Sequence, residues 1–179
     1  MKVALLAICS FFSSPDYWLS SYRKNLVCKL ESTVETVSNE NNIDPDLLAA
    51  LIYVESGWNK KIVSKANACG LTQVIPKYTK KSISGKRYTC EQLKIPKNSI
   101  NAGAKILRWW VNYYSNQTKT DDGNSLEKKY TGEEALKRAL CSYNAGFRCD
   151  RKVPIRAGIR YAEKVQSLKN KIKLHRSER

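Results

Sequence analysis

Glu55 is the residue whose type and position first suggest chemistry. It stands within Ala50-Leu51-Ile52-Tyr53-Val54-Glu55-Ser56-Gly57-Trp58-Asn59, three residues after Ile52 and seven after Leu48. Helical spacing puts it on the face those two apolar residues define. It also falls in the last turn before Gly57, at the negative end of the helix dipole. Burial and dipole both favour the protonated carboxyl. A carboxyl kept neutral near pH 7 can give up its proton as a general acid. By position alone, a surface glutamate near a helix end accounts for the residue equally well. Residues 56–90 contain no Asp or Glu, so no second carboxylate follows Glu55 on the neighbouring segments. There is no Cys-x-x-Cys pair, and the single histidine, His175, lies in a basic tail. A zinc site is therefore not expected, nor is any cofactor.

The elements that must position Glu55 are mostly helices. Leu26, Leu30, Val34 and Val37 recur at helical spacing, which predicts an amphipathic helix from 26 to about 40, broken by Asn41-Asn42. Asp44-Pro45 supplies an N-cap and a first-turn proline for the helix that carries Glu55. Residues 59–97 lack a clean period and read as loops with a short helix and a small hairpin. Ser99 is placed to cap a third helix, with Ile100, Ala104, Leu107, Val111 and Tyr114 on one stripe. An exposed polar loop is expected over 115–130, around Asp121-Asp122-Gly123-Asn124. Thr131 and Glu134 have capping-box spacing before a further helix through Ala135, Leu136, Ala139, Leu140 and Tyr143. A last helix uses Ile159, Ala162, Val165, Leu168 and Ile172, and is expected to fray from Lys171. No internal repeat or linker interrupts this mainly α-helical pattern.

Further motifs lie on these elements. Ser64 to Pro76 includes Gly70-Leu71-Thr72-Gln73, Asn101-Ala102-Gly103-Ala104 sits on the third helix, and Cys141-Ser142-Tyr143-Asn144-Ala145-Gly146 ends a distant one. With Glu55-Ser56 these four motifs, in this order, resemble the lysozyme-like lytic transglycosylase domain of the soluble transglycosylase (SLT) type. Order and spacing match from residue 44 to about 168. The resemblance implies a single lysozyme-like domain, akin to goose-type lysozyme, with five to seven helices and at most a small β element. It implies that Glu55 is the sole catalytic acid/base. It assigns Ser64 to the neighbourhood of the substrate's N-acetyl group and Gln73 to the cleft lining. Tyr143 and Asn144 would hold the carboxyl and the sugar, and Tyr161 would close the site from the last helix. Without the resemblance, core packing explains the two tyrosines, and turn hydrogen bonding explains Ser64 and Gln73. Two residues depart from the family pattern. Thr72 stands where methionine is common, which is expected to make the cleft wall more polar. Cys69 stands where a small or basic residue is common.

A single carboxylate shapes the implied reaction. Glycosidases with one carboxylate can rely on the substrate's N-acetyl carbonyl. The expected activity is cleavage of the β-1,4 bond between N-acetylmuramic acid and N-acetylglucosamine in peptidoglycan, yielding a 1,6-anhydromuramyl end. A muramidase of the same fold that uses water is the close alternative. From another class, a basic nucleic-acid- or wall-binding protein without catalysis is the third.

Compartment is read from both ends of the chain. Lys2 followed by Val3 to Phe12 resembles a secretory signal, so residues 1–20 are expected to be a signal or membrane-targeting segment and 21–179 the domain with its basic tail. A buried first helix is the alternative. Cleavage would remove Cys9 and leave five cysteines. Cys69–Cys90 and Cys141–Cys149 are the expected disulfides, because each closes a modest loop; fully reduced cysteines remain the alternative. The formal net charge is +16, from 32 Lys and Arg against 16 Asp and Glu. Such an excess points to a polyanionic partner, here an anionic wall or membrane surface met through basic patches. Trp109-Trp110 and Tyr113-Tyr114 beside Arg108 could stack on bases, but core packing is the better reading, so no nucleic acid is expected. A monomer exported to the periplasm or cell wall, or acting in phage lysis as an endolysin or virion enzyme, fits all of this.

Overall fold

The computed structural model describes residues 7–119, 126–128, 130–151 and 154–178. The expected loop at Asp121–Asn124 and residues 1–6 of the expected targeting segment lie outside them. The chain forms two compact units, Met1–Lys105 with Ser167–Arg179, and Ile106–Gln166. The described residues form eight α-helices, two of them single turns of four residues.

The first unit holds α1 (Ala7–Ser13), α2 (Ser21–Glu40), α3 (Pro45–Ser56), α4 (Lys81–Ser84), α5 (Cys90–Leu93) and the first part of α6 (Pro96–Ser115). The end of α8 (Arg156–Ser177) also belongs to it. Its core gathers Val27, Val34 and Val37 of α2, Leu47 to Ile52 of α3, Trp58, Leu71, Leu93, Ile100 and Ile172, all buried. Burying such side chains contributes about 1.5–3 kcal/mol each before chain entropy is counted. The helix ends follow local rules. Asp44 Oδ1 accepts the Asp46 N–H at 2.9 Å and Pro45 opens α3. Thr89 and Gln92 form a reciprocal capping box on α5. Ser99, expected as a cap, instead lies inside α6, which starts at Pro96, and its Oγ accepts the Thr72 N–H at 3.1 Å. The expected fraying from Lys171 does not occur. The helix runs to Ser177 because Ile172 is buried and Arg176 pairs with Asp46 at 2.8 Å.

The second unit contains the rest of α6, the antiparallel pair β1 (Gln117–Lys119) and β2 (Leu126–Lys128), α7 (Gly132–Ala145) and the first part of α8. Register aligns Thr118 with Glu127. Trp110 and Tyr114 are buried, and Tyr114 Oη meets Ser142 Oγ at 2.7 Å. Trp109 stacks on Tyr113 at 5.7 Å and 19°. Each ring of this run packs against others within the unit, as expected for a core stripe. The expected capping box at Thr131 does not form: its side chain makes no cap bond, and Glu134 pairs with Arg138 Nε at 2.9 Å. Arg138 is drawn inward because its guanidinium also donates to the Cys149 and Arg151 carbonyls at 3.1 Å and covers the Tyr130 ring. Both expected disulfides are present, and Cys9–Cys28 is a third that was not expected.

Candidate active site

Glu55 is positioned by the way α3 stops. Leu48 and Ile52, two turns and one turn back on its face, are fully buried, while Glu55 itself is half-buried. Ser56 is buried and returns its hydroxyl to the Ile52 carbonyl at 3.1 Å. Gly57 takes the left-handed conformation (φ 54°) and donates its N–H to the Tyr53 carbonyl at 2.8 Å, which closes the last turn. Glu55 thus lies in the last turn of α3, at the negative end of the helix dipole.

The chain then bends through a loop that fixes Ser64 and Gln73. Ser64 Oγ accepts the backbone N–H groups of Ala66 at 3.2 Å and Ala68 at 3.1 Å. Its N–H donates to the Ala68 carbonyl at 2.9 Å. A serine hydroxyl has two acceptor sites and one donor. With both acceptor sites filled, what Ser64 has left to offer is its O–H. Gln73 holds a positive φ of 48° and donates its amide to the carbonyls of Gly70 at 2.9 Å and Ile62 at 3.3 Å, leaving its carbonyl oxygen as the acceptor. Both residues therefore serve the loop that carries them, in addition to any contact with substrate. Cys69 bridges to Val63 and Val74 in isolated antiparallel pairs and is tied to Cys90.

Thr72 does not line a cleft wall as expected. It is fully buried, with its hydroxyl 2.7 Å from the Ser99 carbonyl and 3.0 Å from Ser99 Oγ. A hydroxyl buried away from water needs such partners, and α6 supplies them.

Glu55, Ser64 and Gln73 belong to the first unit. Tyr143, Asn144 and Tyr161 belong to the second. There, Tyr143 and Asn144 occupy the last turn of α7, half-buried and exposed respectively, before Gly146 ends the helix with φ 63°. Tyr161 is half-buried on α8. Among the described residues, no cluster of three His, Cys, Asp or Glu side chains is placed to hold a metal. One group escaped the sequence reading altogether: Phe12 and Tyr17, whose rings pack on Tyr53 at 5.1 Å and 5.4 Å, two residues before Glu55. Only their aromatic type could have signalled it, since the partners are some 40 positions apart in sequence.

The chain has relatives among known proteins. The chain is 34% identical over 119 residues to the endo-type membrane-bound lytic murein transglycosylase A of Cronobacter sakazakii, covering 59% of this chain and 55% of that one. The proteins of the same name from Salmonella paratyphi B and Salmonella paratyphi A are 33% identical over the same shares. The chain thus spans about half the length of these curated relatives. An X-ray structure of lytic transglycosylase Slt from Pseudomonas aeruginosa, an inactive mutant with glutamine in place of a glutamate, superposes with a TM-score of 0.63 at 17% identity. That match covers 95% of this chain and 30% of the other, and it shows the shared lysozyme-like, mainly helical fold. Residues 32–165 match the model of the transglycosylase SLT domain, and the chain belongs to that family.

Proposed function

We propose that this chain is a peptidoglycan lytic transglycosylase that cleaves the β-1,4 bond between N-acetylmuramic acid and N-acetylglucosamine, with Glu55 as its single acid/base. The observation that carries this reading is half-buried Glu55 at the carbonyl end of α3, in an SLT-family chain with no Asp or Glu from Ser56 to Cys90. Glu55 protonates the glycosidic oxygen as the C1–O bond breaks. The substrate's N-acetyl carbonyl supports the electron-poor C1, and the Ser64 O–H, its oxygen already engaged by two backbone N–H groups, donates to that carbonyl. The carboxylate then takes the proton from the C6 hydroxyl while O6 bonds to C1. The product carries a 1,6-anhydro ring, the proton count closes on Glu55, and no water is consumed. Gln73 offers its carbonyl oxygen to the sugar, and Tyr143, Asn144 and Tyr161 are assigned to hold the carboxyl and glycan.

The compartment proposed is outside the cytoplasm, at the wall, with residues 1–20 as the targeting segment and the protein acting as a monomer on glycan strands. Three disulfides joining all six cysteines support an oxidising location. No described helix is long and apolar enough to cross a membrane. The excess of basic residues supports contact with anionic wall polymers.

Glu55→Gln tests the assignment, and it is the same kind of exchange as in the inactive solved relative. The variant is expected to keep its thermal midpoint and to lose activity on purified sacculi by about a hundred- to ten-thousandfold. Near-normal activity removes Glu55 from the mechanism. Mass spectrometry of the wild-type products decides between chemistries: an anhydro end supports transglycosylation, and a reducing muramic-acid end assigns the chain to the hydrolases.

A further inference from the structure

The segment read as part of an export signal is built into the folded unit. A helix of seven residues such as α1 does not persist alone. Here it is tied at both ends. The buried Glu31 carboxylate of α2 accepts the N–H groups of Ile8 at 2.8 Å and Cys9 at 3.2 Å. Cys9 is joined to Cys28 of the same helix. Lys24 Nζ donates to the Ser13 carbonyl at 2.9 Å, and Ser10 Oγ lies 3.1 Å from His175 Nε2.

What α1 delivers is Phe12, fully buried. Its ring stacks on Tyr53 at 5.1 Å and 24°, and meets Trp58 edge-on at 5.7 Å. Tyr17 closes the cluster, at 5.2 Å from Phe12 and 5.4 Å from Tyr53. Tyr53 and Trp58 stand two residues before and three after Glu55. Phe12 therefore braces the end of α3 through residues that flank Glu55 in sequence. Loss of the segment would leave Cys28 without its partner, Glu31 without these two donors, and Tyr53 and Trp58 without the Phe12 ring.

We propose that Ala7–Tyr17 stays with the mature protein as a clasp, and that Phe12 is a positioning residue that holds Glu55 through Tyr53 and Trp58. This rests on the reading of Glu55 as the acid. A displacement of about 1 Å at a catalytic group is enough to cost up to a hundredfold in rate.

Two measurements test it. The exported protein, denatured without reductant, is titrated for thiols and its first residue identified. No free thiol, with a peptide linking Cys9 to Cys28, supports the clasp. One free thiol per chain and a first residue beyond Cys9 overturns it. Phe12→Ala and Phe12→Leu are then assayed on sacculi beside Glu55→Gln. Phe12→Ala is expected to lower kcat about tenfold or more, with KM within about twofold, and to shift the acidic limb of the pH–rate profile. Phe12→Leu, which keeps most of the volume, is expected to restore most of the rate. If the alanine variant does not fold, the leucine variant is read against the parent, with a smaller drop in kcat and the same direction of pH shift expected. A folded variant with the parent's kcat and pH profile overturns the positioning role. If Glu55→Gln is inactive and the Phe12 variants match the parent, this inference falls and the acid assignment stands. If Glu55→Gln remains active, both fall.

Discussion

Gly70 shows how closely single residues set the candidate site. Its φ is +76°, and a Cβ there would lie 2.0 Å from the Leu93 carbonyl oxygen and 2.9 Å from Ser99 Oγ. The obstacle is backbone, so it cannot swing aside. Gly70 also carries the carbonyl that receives the Gln73 amide, and its own N–H donates to the Ile62 carbonyl at 3.0 Å. Gly70→Ala combines backbone strain with overpacking and is expected to cost about 3 kcal/mol or more of stability. Denaturant unfolding measures this, and a loss under about 1 kcal/mol would show that the loop relaxes freely. Activity should fall with it, because Ser64 and Gln73 share that loop. The glycine and its Gly-Leu-x-Gln context were legible in the chain. The clash that makes it obligatory was not, because Leu93 and Ser99 lie more than twenty positions away.

At the scale of elements, α1 and α2 are coupled by a carboxyl that tunes their association to pH. Burial pushes the Glu31 carboxyl above its ordinary range. The Ile8 and Cys9 N–H groups and Arg176 pull it back, and Glu35 pushes it further up. The net rise means that the folded protein keeps this proton to higher pH than the unfolded chain does. Glu31's contribution to stability is therefore full below the ordinary carboxyl range and is lost as pH rises through the raised value. Between about pH 4 and pH 7, Glu31→Gln should flatten the fall in unfolding free energy with pH, while its amide oxygen still accepts one of the two N–H groups. Denaturation midpoints taken across that range check this, and an unchanged slope would assign the pH dependence to other groups. The strong helices were legible as elements because caps and periodicity are local. Asp44, Pro45 and Gly57 bound α3 where expected. Ser99 and Thr131 looked like caps and are not, because other partners intervene: Thr72, distant in sequence, for Ser99, and Arg138, one turn along α7, for the Glu134 that would complete the Thr131 box.

For the molecule as a whole, charge is the dominant collective property. A net +16 on 179 residues produces a field that attracts polyanions and is screened over about 10 Å at 0.1 M salt. Association with isolated sacculi is expected to weaken severalfold or more when salt is raised from about 0.05 to 0.5 M. Pelleting assays with the Glu55→Gln protein, expected to be inactive, measure this without digesting the wall. Binding insensitive to salt would mean that sugar contacts, not charge, hold the protein there. A gel shift on DNA run in parallel separates wall affinity from general affinity for polyanions. The aromatic run from Trp109 to Tyr114 argues against a base-stacking surface, since Trp110 and Tyr114 are buried and the other two rings stack on each other.

The sequence by itself determined the order of the motifs, the helix that presents Glu55 and the absence of Asp and Glu from Ser56 to Cys90. It could do so because residue type, helical period and capping act within a few positions of one another. Two disulfides were also within reach, since each closes a modest loop within the expected domain, whereas Cys9 fell in the stretch read as a targeting segment. Only the tertiary structure decided that Thr72 is buried against Ser99, that the targeting-like stretch from Ala7 packs as α1, and that Cys9 pairs with Cys28. Those outcomes depend on which surfaces meet when distant segments exclude water together. An apolar run such as Ala7 to Phe12 reads the same whether it is destined for a membrane or for a core.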